Sequence, residues 1–134
     1  MEEFFYPPAG AQAKKTLVGI RVKNISPGFI PLTDKKESLQ VLLMNHKKGT
    51  HKVEPHFHAP LKRSTNNLQE CLIVKKGKVK IDLYALDKKK FKSIFLKEGE
   101  LFILLNGGLS VEFIDDAEVY EVKNGPFKED KVDI

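Results

Sequence analysis

The chain has 134 residues, 41% of them hydrophobic and 31% charged, a formal net charge of +5 and a single cysteine. It is long enough for one domain with a real core, too apolar for a disordered segment, and without the ~20-residue apolar run of a membrane-spanning helix. The lone Cys71 excludes an internal disulfide and fits a reducing, cytoplasmic setting.

The opening stretch, MEEFFYPPAG, is acidic and then proline-rich. It lacks the basic n-region and apolar h-region of a secretory leader. Phe4, Phe5 and Tyr6 form an aromatic cluster expected to tie an N-terminal arm to the domain or to a partner subunit. TLVGIRV (16–22) alternates and is β-branched, which predicts a strand. The proline- and glycine-bearing segment NISPGFIPLTDKKE is expected to be a loop, with at most a short helical turn from Asp34 to Glu37. SLQVLLM (38–44) is a second predicted strand, and a Lys47-Lys48-Gly49 turn leads into EPHFH.

EPHFH reads as a strand too. Period 2 then places Glu54, His56 and His58 on one face and Pro55 and Phe57 on the other. Two imidazoles on one wall, met by a carboxylate from a neighbouring strand, make either a metal site or an acid–base site. Glu70 is the candidate carboxylate, after a polar loop running from Ala59 to Gln69. Arg63 in that loop is either a bidentate phosphate ligand or a solvated side chain.

Leu72–Val74 and Val79–Leu83 are strands joined at a Lys76-Gly77 turn. FKSIFL follows, then LFILL, a continuous apolar run expected to be buried on both faces. VEFI and EVYEVK end the series, before a charged tail expected to be peripheral. On the last strand Glu121 and Lys123 alternate with Val119. They either point inward, where Glu121 would bind ligand with Glu54 and Arg63, or pair with each other outside. Cys71 alternates away from Glu70 and reads as a small buried hydrophobe. The lysine clusters lie at turns among Glu98, Glu100, Asp115, Asp116 and Glu118, a mixed surface that predicts no nucleic-acid and no membrane partner. About nine short strands without an amphipathic helix predict an all-β sandwich or barrel.

The order Gly49, His56, His58, Glu70, Gly77, followed by Gly99, LFILL and Asn106-Gly107-Gly108, resembles the cupins. The likeness runs over residues 38–127 and is nearest to small single-domain bacterial members. It implies a double-stranded β-helix, the jelly-roll barrel, with 1–37 as arm and edge strand, 38–127 as barrel core and 128–134 as tail. It also implies a homodimer and a metal held by His56, His58 and Glu70. Two departures stand out. Eleven residues separate His58 from Glu70, and Leu109 stands near where the family's second motif supplies a fourth, histidine ligand. His56, His58 and Glu70 still make the donor set of a two-histidine, one-carboxylate centre for Fe, Mn, Ni or Zn. The expected function is binding of a carbohydrate or nucleotide-sugar ligand with weak or no catalysis. The alternatives are a metal-dependent enzyme, a metal-free sugar isomerase or epimerase using His56 and His58, and a dimeric scaffold with a vestigial pocket.

Overall fold

The computed structural model describes residues 2–8 and 16–134. These residues form ten strands and no helix: β1 (Glu2–Phe5), β2 (Gly19–Val22), β3 (Gly28–Pro31), β4 (Leu42–Asn45), β5 (Glu70–Lys76), β6 (Lys78–Tyr84), β7 (Lys90–Lys97), β8 (Leu101–Leu104), β9 (Gly108–Phe113) and β10 (Glu118–Lys123). The pairing is antiparallel throughout. A five-stranded sheet runs β1-β2-β8-β5-β10, a three-stranded sheet β7-β6-β9, and β3 and β4 form a ribbon of their own.

The five-stranded sheet is the middle layer. Phe102 and Ile103 are neighbours in sequence, and both are 0% exposed. Successive strand side chains point to opposite faces, so both faces of β8 must be covered. On one face Phe102 joins Leu72, Val74 and Val18 against Val79, Ile81, Leu83, Ile94 and Leu96 of the three-stranded sheet. On the other, Ile103 joins Ile20, Val22 and Cys71 against Leu32 and Leu43 of the ribbon region. The apolar run LFILL is thus a central strand between two cores, as its composition predicts.

From β5 onward the chain crosses repeatedly between layers. β5, β8 and β10 lie in the central sheet, and β6, β7 and β9 in the three-stranded one. The Lys76-Gly77 turn exists, but the strands it joins do not pair with each other; it is a corner between two sheets. Gly77 has φ 84° there. A side chain on it would run into the Asp116 carbonyl and Ala117, so the corner requires both a left-handed backbone and no Cβ.

Two sequence expectations are corrected, and a third, that the N-terminal aromatics tie their arm to the domain, holds through Phe5. The segment expected as a loop after Asn24 contains β3, whose Phe29 and Ile30 pair with Met44 and Leu43. The Asp34–Glu37 stretch is a turn, closed by Glu37 N–H to the Asp34 carbonyl at 3.0 Å. The N-terminal aromatics are more than an arm: β1 pairs with β2, and Phe5 is buried in the core beside Phe102. Residues 9–15 of the expected arm lie outside the described residues.

Two glycines separate backbone strain from crowding. Gly49 also has a positive φ, 76°, but nothing lies within 4 Å of where its Cβ would be. Gly49→Ala is expected to lower unfolding stability by about 1–2 kcal/mol, from the left-handed conformation alone. Gly77→Ala should cost roughly 1–3 kcal/mol more, because the corner must also open. Urea unfolding of the two variants measures the difference.

Candidate functional site

The strand alternation that builds the central sheet also aims its polar residues. Register pairs Glu121 with Leu72, Lys123 with Glu70 and Val119 with Val74. Directly opposed residues share a face. Leu72 and Val74 belong to the core between the central and three-stranded sheets. Glu70, Glu121 and Lys123 therefore continue that inner face toward one end of the sheet. Glu70 is also opposite Leu104 on β8, which packs on the same core. Of the two placements the sequence left open for Glu121 and Lys123, inward pointing and pairing with each other outside, the structure has them paired at 3.3 Å and both exposed, beside the half-buried Glu70.

The ends of these strands are fixed by two side-chain amides, Gln69 buried and Asn124 partly exposed. Gln69, 1% exposed, accepts a hydrogen bond from Leu39 N–H at 2.9 Å through its side-chain oxygen. Its amide nitrogen donates to the Leu105 carbonyl at 3.3 Å and to the Glu37 carboxylate. Its backbone N–H donates to Asn124 Oδ1 at 2.8 Å, and Asn124 Nδ2 donates to the Asn67 carbonyl at 3.1 Å. Each carboxyl-bearing strand thus has a neighbour of its site residue held in place, Gln69 before Glu70 and Asn124 after Lys123.

The two carboxyl groups share a hydrogen bond. Burial, then that hydrogen bond and the negative charge of Glu121, push Glu70 up to about 7. The Glu70 hydrogen bond holds Glu121 below the usual carboxylate range, helped by Lys123. Lys123 Nζ lies 3.3 Å from Glu121 Oε1, and this contact raises the lysine in turn. The pair therefore keeps one proton below about 7 and releases it to solvent as pH rises through that value.

Lys123 and Lys131 line a cavity of about 260 Å³, together with Leu68, Asn124 and Phe127; Lys123, paired with Glu121, is the link between the cavity and the carboxyls. Both lysines act electrostatically on the two carboxyls. The C-terminal segment, expected to be peripheral, forms much of this cavity wall through Phe127 to Lys131. Sequence reasoning singled out Lys123 beside Glu121 but not Lys131. Alternation with Val119 was the signal for Lys123, whereas nothing in the sequence folds Lys131 back onto β10.

The histidines lie elsewhere. Residues 46–69 contain no strand, so the two-residue spacing of His56 and His58 does not place them on a sheet wall. Pro55 and Pro60 remove two of the backbone donors that a ladder would need. Both histidines are exposed, with ring centroids 5.1 Å apart and edge-on. His56 Nδ1 contacts the Glu54 carbonyl at 2.7 Å. Among the described residues no group of three or more His, Cys, Asp and Glu side chains converges as a metal would require. In this arrangement His56, His58 and Glu70 do not fit a metal centre. Glu54 is exposed and lies 3.9 Å from Lys52, and Arg63 is exposed and bonded to the Leu61 carbonyl at 3.4 Å. Leu109 packs on the inner core. Cys71 is buried on the opposite face, its thiol pushed up to about 12 by burial, so it is a core side chain.

Compared with protein-family models, curated proteins and solved structures, the chain matches none.

The carboxyl pair makes stability depend on pH. A carboxyl raised in the folded state stabilises fully below its unfolded value and loses that contribution as pH climbs through its folded value. For Glu70 the window runs from the ordinary carboxylate range to about 7. The loss is roughly 1–2 kcal/mol once solvent screening of a half-buried group is allowed for. Glu121, lowered, acts oppositely and only in more acidic solution. Thermal melts between pH 5 and about pH 8 should show a decline that Glu70→Gln flattens.

Proposed function

We propose that this chain is a small cytoplasmic cupin that binds a carbohydrate or the sugar of a nucleotide-sugar, at the cavity lined by Lys123 and Lys131, with Glu121 behind Lys123, and with weak or no catalysis. The observation that carries the reading is a coupled carboxyl pair whose ion-pair partner, Lys123, lines a cavity. Ionised and protonated carboxyls together both accept and donate hydrogen bonds, which is what vicinal hydroxyls need. A volume of about 260 Å³ lies just under the ~300–1,000 Å³ of drug-sized sites and suits one sugar ring. The exchange of strands between two facing sheets from β5 to β10 supports a jelly-roll arrangement, and Leu109 on the inner core supports a site that does not rely on the family's fourth ligand. For cellular location, no helix among the described residues is long and apolar enough to cross a membrane.

The shared proton favours a second reading, proton transfer on the bound sugar. Glu70 would donate and Glu121 accept, since a group titrating near neutrality suits general acid–base work. The exposed histidines take no part in it.

Calorimetric titration with a panel of monosaccharides and nucleotide-sugars tests the proposal. At least one is expected to bind, with affinity reduced about tenfold or more by Glu121→Gln and by Lys123→Met, each loss matching ~1.4 kcal/mol or more for a charged hydrogen bond. Binding untouched by both changes, or no binding across the panel, overturns it.

A further inference from the structure

The three-stranded sheet ends on β7, at eight residues the longest strand among the described residues. No strand among them pairs with its outer edge. Three contacts show which backbone groups that edge presents. Lys97 N–H donates to the Glu100 carboxylate at 2.9 Å, the Lys97 carbonyl accepts from Glu100 N–H at 2.9 Å, and the Phe95 carbonyl accepts from Arg21 at 2.9 Å. None of these partners lies on β6, so at Lys97 and Phe95 the backbone turns away from it. In an antiparallel ladder both polar groups of a residue point the same way, and the direction alternates along the strand. Ser93 therefore turns outward too, while Lys92, Ile94 and Leu96 pair with Leu83, Ile81 and Val79. Among the described residues no hydrogen bond from beyond the edge reaches the Ser93 N–H, the Ser93 carbonyl or the Phe95 N–H.

A groove of about 320 Å³ lies along this edge, between residues 92–95 and Arg21, Lys23 and Glu100 from the side of the central sheet. Arg21, Lys23, Lys92 and Lys97 put four cations around it, against the two carboxylates of Glu3 and Glu100. Both carboxylates are engaged, Glu3 by the Arg21 fork and Glu100 by the Lys97 N–H. Lys92 and Lys97 form no ion pair among the described residues.

These features choose among occupants. A simple anion satisfies the outward donors but sets its charge against the Ser93 carbonyl. A second copy pairing through β7 brings lysines 90, 92 and 97 of the two strands together, the arrangement by which basic edges repel their own kind. An extended acidic peptide meets both demands: its backbone supplies acceptors and donors in turn, and its carboxylates find unpaired ammonium groups. We propose that the β7 edge and its groove take an acidic peptide as a fourth strand of this sheet. Directly opposed residues share a face. Guest residues opposite Lys92 are therefore the acidic ones. Those opposite Phe95 meet an aromatic ring that is 44% exposed, with Lys78 Nζ 4.9 Å from its centre, and are apolar. This inference is independent of what binds beside Lys123.

The probe is a fluorescently labelled peptide of alternating Glu and Val, as long as β7, titrated with the full chain and followed by anisotropy. Binding is expected, tighter as ionic strength falls. Lys92→Gln and Lys97→Gln combined should weaken it about tenfold or more. Ser93→Pro, a change that an edge strand tolerates, removes one outward N–H and should abolish it. The same peptide N-methylated at alternate residues should not bind, because it cannot complete the ladder. Equal binding of the N-methylated peptide or of an alternating Lys-Val peptide overturns the proposal. So do indifference to the lysine changes, tighter binding of an oligothymidylate, and no binding at about 1 mM chain.

Discussion

The structure depends on one constraint: its central sheet is covered on both faces. Once Phe102 and Ile103 are buried in opposite directions, the remaining residues of β2, β5 and β8 are assigned to one face or the other by parity, and β10, paired on β5, follows the same register with its outer face exposed. Cys71 falls on the ribbon side, and Glu70 and Glu121 on the side of the three-stranded sheet. Two carboxyls placed on an inner face beyond the last apolar pair are partly desolvated, and like charges there cannot both ionise easily. A shared proton and a neighbouring lysine are the resolution. The chemistry of the site follows from where the apolar pattern stops.

The seam between the two larger sheets is closed elsewhere by a different device. Arg21 on β2 makes two hydrogen bonds to the Glu3 carboxylate, at 3.0 and 2.9 Å, and donates a third to the Phe95 carbonyl on β7 at 2.9 Å. Its guanidinium also lies 5.6 Å from the Phe5 ring centre. A planar fork bridging two sheets fixes their spacing at that edge. On the β5–β10 side the Gln69 and Asn124 amides tie the strand ends to Glu37, Leu39, Asn67 and Leu105 instead, within the central sheet and the segments flanking it.

The strands with strong alternation or a continuous apolar run were legible from the sequence: β6, with Val79, Ile81 and Leu83 inward, and β8. So was the inert character of Cys71. The β3 strand was hidden because Pro27, Gly28 and Pro31 mark a loop by composition, yet an edge ribbon tolerates proline. The histidine segment misled in the opposite direction. Its spacing of two satisfies a strand pattern, but spacing cannot supply the partner strand that a ladder needs, and among the described residues none pairs with it. Glu70 was selected for a motif and Glu121 for its parity. Their meeting depends on the register of β10 against β5, including the irregularity between Glu118 and Val119, which only pairing in three dimensions sets.

Below about 7, Glu70 and Glu121 are expected to hold one proton between them. Titrating the side-chain carboxyl carbons by nuclear magnetic resonance, with Glu70→Gln and Glu121→Gln for assignment, addresses it directly. The expected result is two coupled curves, one centred at about 7 and one below the usual carboxylate range, each reverting toward its ordinary value when the other carboxyl is replaced. Two independent curves, both near ~4.3, would contradict the account.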